Sequence, residues 1–351
     1  MTAGDFEPVM RRAIAVAARH HPHPNPRVGA VLLDASGNVV GEYGHHRPGD
    51  PHAERGVIDA AGTIPEGAVL VVTLEPCDHT GRTPPCTVAI LEAGIGTVVI
   101  GAVDPDERVA GRGIRRLVDA GVDVRTGVLA DEVEASDPGY FHHRRTGMPL
   151  VTLKQATTLD GQTAAADGTS QWITGEDARR DAHRLRADHD GVLVGAGTAR
   201  SDDPRLTVRL PGFQGPQPRP ILVSGSRPLP AALRMLEGEA IVLAPEESSI
   251  VAHDVIRAGR GGVVDLSDAF ARLPALGVLS VLVEGGAGIA ASVWEADLAD
   301  RGIVYLAGRI AGGTGQAAFD RVFATLSDSV EVEIGDVVRL GPDLRVPWRR
   351  V

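Results

Sequence analysis

The chain has only two cysteines in 351 residues, which excludes a disulfide framework and leaves both thiols for another purpose. It has no surplus of positive charge. With a formal net charge of -11 it lacks a surface built to neutralise a phosphate backbone, so nucleic acid is not expected as a partner. Apolar runs are strand-sized, far short of the roughly 20 residues of a membrane span. The opening residues, 1–7, lack a basic stretch followed by an apolar one, so no secretory signal is expected. No G-x-G-x-x-G stands between a strand and a helix, which argues against a Rossmann dinucleotide site. What remains is an ordinary globular composition, 43% hydrophobic and 23% charged, suited to small substrates in a reducing cytoplasm. At this length two domains are expected.

Both cysteines fall in one region, where His52-Ala53-Glu54 is followed by Glu75-Pro76-Cys77 and, after a loop of eight residues, Cys86. One imidazole and two thiolates make three zinc ligands, and a zinc ion held by three protein groups keeps a fourth tetrahedral position for water. Zinc lowers the pKa of that water to about 7, so attack on a ring carbon bearing an exocyclic amine becomes feasible at neutral pH. Glu54 lies too close to His52 to reach the same metal easily and suits a general base. The expected reaction is hydrolytic deamination. Two other readings of the same residues stand beside it: a Cys77–Cys86 disulfide, which needs an oxidising compartment, and a structural zinc knot, which normally has four protein ligands.

Along the chain, periodicity predicts a first helix over 7–20, with Asp5 as N-cap and Val9, Met10, Ala13, Ile14 and Ala17 on one face. In the proline-punctuated loop after it, His20, His21 and His23 read as solvated residues. A strand over 28–33 and the turn Ser36-Gly37-Asn38 suggest a hairpin. Helices over 53–61, 86–93 and 114–120 alternate with strands over 69–74, 97–101 and 122–125, the pattern of an α/β layered sheet. An acidic helix over 129–140 with a basic exit, His142 to Thr146, brings the chain to a domain boundary near Gly147. Beyond it come a strand from 150, a helix over 176–189, a buried strand over 191–198, and strands near 221–224, 241–244 and 278–283. The turn Gly286-Ala287-Gly288 opens a helix, where backbone N–H groups can cradle phosphate oxygens.

The histidine, glutamate and Pro-Cys order matches the zinc-deaminase signature H-x-E…P-C-x-x-C, apart from the longer loop between the cysteines. In full, His-Ala-Glu and Thr73-Leu-Glu-Pro-Cys-Asp-His-Thr-Gly-Arg-Thr-Pro-Pro-Cys86 resemble the deaminase half of the bifunctional deaminase/reductase family of riboflavin biosynthesis, the RibD type. The resemblance implies a three-layer cytidine-deaminase-like domain over 1–147. It makes Asn25, in His-Pro-Asn-Pro-x-Val-Gly, and His45 contacts to the pyrimidine, and places Arg82 and Thr83 on the substrate side, Arg82 suiting a phosphate. Asp104-Pro105-Asp106 resembles the family's substrate loop, but an asparagine is common at the second position, so Asp106 reads as a structural turn.

The second half carries Lys154 before Thr-Leu-Asp-Gly, Ser170-x-Trp-Ile-Thr, Gly197-Thr198, Asp202-Asp-Pro-x-Leu-Thr and Glu284-Gly-Gly. These resemble the reductase half of the same family and imply a dihydrofolate-reductase-like domain over 148–351. By that resemblance Ala156, Trp172, Thr198, Asp202, Ser224, Gly286, Ala287 and Gly288 line NADPH, and Lys154, Ser170, Arg186, Leu206, Arg209 and Glu284 hold the substrate. Where the family often has Asp-Ser, this chain has Ser224-Gly225-Ser226-Arg227, and Arg227 is a candidate for the 2′-phosphate. The implied enzyme deaminates 2,5-diamino-6-ribosylamino-4(3H)-pyrimidinone 5′-phosphate with Zn2+ and then reduces the ribosyl chain of the aminouracil product. Its expected partners are phosphorylated pyrimidines and, through the reductase half, further copies of itself. The alternatives are a nucleoside or transfer-RNA deaminase with an accessory domain, and a zinc-stabilised binding module with an inactive reductase relative.

Overall fold

The computed structural model describes residues 3–80, 84–106, 109–225, 227–230, 232–313, 315–319 and 325–351. The chain divides into two compact units, Met1–Gly147 and Met148–Val351.

In the first unit, valine-rich runs form the sheet. Strands β1 (Gly29–Leu33), β3 (Val69–Leu74) and β4 (Thr97–Ala102) are buried almost throughout, as near-continuous apolar strands covered on both faces must be. With β2 (Val39–Gly44) and β5 (Asp123–Arg125) they make the order β2-β1-β3-β4-β5. Strand β1 runs antiparallel to β2 and β3, whereas β3, β4 and β5 are parallel. Helices α1 (Glu7–Ala17), α2 (Ala53–Ala61), α3 (Cys86–Glu92), α4 (Arg112–Asp119), α5 (Ala130–Ser136) and α6 (Pro138–Thr146) complete the unit.

Several sequence expectations are corrected here. A 3-10 turn, Ala3–Phe6, leads into α1, whose N-cap is Phe6 and not Asp5; burial of the Phe6 ring sets the entry. Helix α1 also stops at Ala17, and the histidines after it are half-buried and held by partners rather than free in a loop. The His20 ring lies tilted against that of His46, centres 4.2 Å apart, His21 Nδ1 accepts from Arg27 Nη2 at 2.7 Å, and the His23 side chain is 4% exposed with Nε2 2.8 Å from Asp137 Oδ1. The single acidic helix is two, α5 and α6, because Pro138 cannot continue the first but fits the opening turn of the second. The basic run expected as an exit from the acidic helix therefore lies on α6 itself.

In the second unit, strands β6 (Leu150–Thr158), β8 (Gly191–Gly195), β9 (Arg219–Val223), β10 (Ile241–Ala244), β11 (Asp254–Arg257), β12 (Ser280–Val283), β13 (Arg301–Ala307), β15 (Val332–Ile334), β16 (Val338–Leu340) and β17 (Asp343–Arg350) share one sheet. Its order is β11-β10-β9-β8-β12-β6-β13-β17-β15, with β16 also on β17, while β7 (Gln162–Ala164) pairs with β14 (Gln316–Ala317). The strands from β11 to β13 are parallel and β17 is antiparallel to β13. Helices α7 (Glu176–Ala187), α8 (Ala196–Asp202), α9 (Leu266–Arg272) and α10 (Ala287–Glu295) join them. The buried strand expected to reach residue 198 ends at Gly195, and Ala196, Gly197 and Thr198 open α8. In both sheets the parallel strands bring their carboxyl ends to one side, where ligands bind in α/β folds. Among the described residues no helix is long and apolar enough to cross a membrane.

Candidate active sites

His52 is the N-cap of α2, Cys86 is the first residue of α3, and Cys77 lies just past the end of β3. Sheet register thus delivers three donors from separate elements to one point. Their ligand atoms all lie within 4.8 Å of one another, His52 Nδ1 being 3.6 Å from Cys77 Sγ and 3.4 Å from Cys86 Sγ. A tetrahedron built with Zn–S of about 2.3 Å and Zn–N of about 2.0–2.1 Å has N···S edges of about 3.5 Å. The donor set and its spacing therefore fit zinc, and both cysteines are free thiols, so the disulfide reading is dropped. Hydrogen bonding from the Cys86 thiol pulls the Cys77 pKa down and holds that of Cys86 up, and the Cys86 N–H also points at Cys77 Sγ from 3.5 Å.

Glu54, in the first turn of α2, is 3% exposed. Burial, reinforced by the negative Cys77 sulfur, raises its carboxyl to about 7. A carboxyl poised near the working pH is what a general acid/base needs. His45 lies beside the triad, its ring 5.2 Å from that of His52. Its Nδ1 is 3.0 Å from the Pro51 carbonyl, which can only accept, so Nδ1 carries the proton and Nε2 accepts from Asn25 Nδ2 at 2.9 Å. Burial lowers the His45 pKa and keeps the ring neutral. The two residues assigned to the pyrimidine are thereby locked to each other.

Glu75 and Gly113 hold the Cys77 segment in place. The buried Glu75 carboxylate accepts from the N–H groups of Gly111 (2.9 Å), Gly113 (3.0 Å) and Ile114 (3.3 Å) at the start of α4, a charge placed where the helix dipole favours it. A Cβ on Gly113 would sit 1.9 Å from the Pro76 carbonyl oxygen. Gly→Ala in a helix ordinarily stabilises. At Gly113 we expect the reverse, a loss of about 1–3 kcal/mol from overpacking together with weaker zinc retention. Thermal unfolding and metal content of Gly113→Ala check this, and an unchanged melting temperature would refute it.

His52, Cys77, Glu54, Asn25 and His45 line one cavity of about 470 Å³. Three other residues stand on its wall: Asp104, which the sequence gave only as part of the Asp104-Pro105-Asp106 loop, and Tyr140 and Arg144, which it passed over. Asp104, past the end of β4, is buried and accepts the Tyr140 hydroxyl at 3.1 Å on both oxygens. Burial raises its carboxyl to about 6. Arg144 lies with Tyr140 on α6 and faces Asp106, which the sequence left as a turn. The only signal in the chain was Asp104-Pro105-Asp106 itself, since the helix carrying Tyr140 and Arg144 reads as surface. Arg82 and Thr83 lie outside the described residues.

In the second unit the buried Glu284 carboxylate, at the end of β12, is the hub. Arg186 of α7 donates Nε to Oε1 at 2.6 Å and Nη2 to Oε2 at 3.0 Å, and Lys154 Nζ lies 3.9 Å from Oε2. Burial alone would raise this carboxyl; Arg186 and then Lys154 prevail and hold it at about 2. Arg186 also donates Nη1 to the Thr207 carbonyl at 2.9 Å, so much of its fork is committed within the protein. Arg209 is exposed, with Nη1 3.5 Å from Thr207 Oγ1 and its N–H given to His183 Nδ1 at 3.3 Å. Burial, then Arg186 and Arg209, lowers the His183 pKa to about 4; its position three residues before Arg186 on α7 was the available signal. Leu206 is buried with a left-handed φ of 57°.

The glycine turn after β12 is tightly packed. A Cβ on Gly285 would meet Ile289 Cγ2 at 1.8 Å, whereas one on Gly288 would face open space. Gly286 is the N-cap of α10, and its N–H points to Thr198 Oγ1 at 3.3 Å. A helix start bare of side chains accommodates a phosphate-bearing cofactor. The remaining expected cofactor residues are held by other partners. Trp172 is 61% exposed and carries the Arg179 guanidinium 4.7 Å from its ring centre, Ser224 donates to the Leu243 carbonyl at 3.1 Å, and Asp202 accepts from Ser201 Oγ at 2.7 Å. Ser170 is exposed, and Ala156 is half-buried in β6.

Comparison with known proteins gives two domain matches. Residues 5–102 match the cytidine and deoxycytidylate deaminase zinc-binding region, and residues 149–346 match the RibD C-terminal domain. The chain is 41% identical to riboflavin biosynthesis protein RibD of Mycobacterium tuberculosis over 324 residues, covering 92% of this chain and 90% of that protein. It is 36% identical to the protein of the same name from Escherichia coli, covering 95% of this chain and 96% of that one. Among solved structures, RibD from Acinetobacter baumannii superposes with a TM-score of 0.91 at 33% identity over 100% of both chains. A diaminohydroxyphosphoribosylaminopyrimidine deaminase/5-amino-6-(5-phosphoribosylamino)uracil reductase from Thermotoga maritima gives 0.90 at 34% identity over 99% of both.

Proposed function

The chain belongs to the RibD family of bifunctional deaminase/reductases in riboflavin biosynthesis, and from that membership we propose which of its residues carry each reaction and on what substrate. The deaminase region binds zinc. Its substrate is the diaminopyrimidinone ribosylamine 5′-phosphate, as the name of the Thermotoga relative suggests, and the product is the corresponding aminouracil. The observation that carries the reading is the convergence of His52, Cys77 and Cys86 beside a buried Glu54.

His52, Cys77 and Cys86 hold the metal. Zinc, when bound by three such ligands, supplies Lewis-acid polarisation of water near neutral pH. Glu54 accepts the proton that water loses and passes it to the exocyclic nitrogen, so that a C–O bond forms, the C–N bond breaks and ammonia departs. Asn25, fixed by His45, presents its amide to the pyrimidine edge, where a group that both donates and accepts suits a ring with both functions. In the second unit Ala156, Trp172, Thr198, Asp202, Ser224 and the turn Gly286-Ala287-Gly288 line NADPH, which supplies hydride when bound. Lys154, Ser170, Leu206 and Arg209 hold the ribosyl phosphate, with Arg186 and Glu284 fixing Lys154. Hydride goes to C1′ and a proton to the ring oxygen, opening the sugar to a ribityl chain.

The nucleoside or transfer-RNA deaminase alternative is not favoured, since the reductase match takes up residues 149–346. A cytoplasmic location and self-association through the second unit belong to the same proposal, the latter supported by exposed Ile334, Val337 and Val338. A coupled assay tests the whole. With the diaminopyrimidine phosphate and NADPH, ammonia release should precede NADPH oxidation in equal amounts. A zinc chelator should stop the first but spare oxidation when the aminouracil is supplied directly. Ammonia release that survives complete zinc removal would overturn the deaminase assignment.

A further inference from the structure

The deaminase cavity poses a charge problem. Its described lining carries the carboxyl groups of Asp50, Glu54, Glu75, Asp104 and Asp106 and a single guanidinium, that of Arg144. The substrate proposed above ends in a phosphate, so acidic walls alone would repel it.

Arg144 is built as a fixed cation on that wall. Its side chain is 23% exposed and that of Asp106 11%, with Nε 3.6 Å from Asp106 Oδ2. This is an ion pair beyond hydrogen-bond distance, and the buried Nε makes no hydrogen bond among the described residues. The Tyr140 ring backs the guanidinium 5.0 Å away. That ring cannot swing freely, because its hydroxyl is donated to Asp104. The guanidinium is thus oriented by an aromatic face, paired loosely with Asp106 and within electrostatic reach of Asp104. A phosphate dianion, which takes two parallel N–H donors from arginine, competes well for such a group. The aspartate at position 106, where the resembled family often has asparagine, fits the same picture: a charge that rests against Arg144 until the substrate arrives.

We infer that Arg144 is the cavity residue that takes the phosphate of the deamination substrate and so sets the preference of this site for a phosphorylated pyrimidine. The inference rests on the substrate reading above.

The test is a ratio. Deamination kcat/KM is measured with the diaminopyrimidine ribosylamine phosphate and with its dephosphorylated form, for the zinc-loaded full chain and for Arg144→Met, Arg144→Lys and Arg82→Met. Loss of a charge-assisted contact predicts that Arg144→Met reduces the preference for the phosphorylated form by about 10- to 100-fold, mainly through KM, and that Arg144→Lys restores part of it. A purely structural clamp would lower both substrates alike and leave the ratio standing, which would overturn the inference. So would collapse of the ratio in Arg82→Met with none in Arg144→Met. Failure of the unmodified enzyme to deaminate either form would instead bring down the substrate reading together with this inference, and the two failures are therefore distinct.

Discussion

Glu54→Gln should lose ammonia release by at least about 10²- to 10⁴-fold, the usual contribution of a positioned general base, while keeping its zinc. The carboxyl is buried and held near neutrality, and no other described carboxyl on the cavity wall combines a place on α2 next to His52 with an uncommitted role. Asp104 is engaged by Tyr140, and Glu75 by the backbone of α4. Glutamine preserves shape and hydrogen bonding but cannot take a proton. NADPH oxidation on separately supplied aminouracil should be unaffected, since that chemistry uses residues of the second unit. Atomic absorption for zinc, with ammonia and NADPH assays on the same sample, decides the matter. A variant that still holds zinc and deaminates at a tenth of the original rate or better would remove Glu54 from the mechanism.

Glu284→Gln should destabilise the second unit by about 3–5 kcal/mol, because it leaves the buried Arg186 guanidinium facing a neutral amide. Reduction should fall with it, since Lys154, the only lysine in the chain, loses the carboxylate that positions it. The pH dependence has a definite sign. The folded carboxyl is held at about 2 against an ordinary 4.5, so the unfolded chain binds the proton more readily as acid is added. The stabilisation is therefore complete above about pH 4.5 and is lost as pH falls toward 2. Thermal melts from pH 7 down to pH 3 should show this extra acid sensitivity in the parent and not in the variant. Equal melting temperatures at pH 7 would mean the ion pair is energetically idle.

The first unit was the more legible. Strand and helix boundaries from 53 to 125 were readable because valine runs bounded by glycine and proline leave few alternatives. The ends of the unit were not: an acidic helix with a basic tail is split by Pro138, and its inner face bears Tyr140 and Arg144, which periodicity alone does not single out. In the second unit β11 and everything from β13 onward escaped the reading; β15 and β16, three-residue strands with a charge at the centre, look like surface loop. The glycine turn was legible as a helix start, but its tight packing against Ile289 was not.

By itself the sequence determined the chemistry available: one imidazole, two thiols and one carboxyl in two short segments, and a lysine, arginine and glutamate set in the second half. Residue type and local spacing fix those things without reference to the rest of the chain. Only the tertiary structure decided which groups meet. His52 reaches cysteines 25 and 34 positions away, Arg186 is bound to a carboxylate 98 positions away, and Arg144 of α6 pairs with Asp106 on the cavity wall. Such meetings depend on strand order and register, which arise from how whole apolar faces pack together, and no local pattern contains that information.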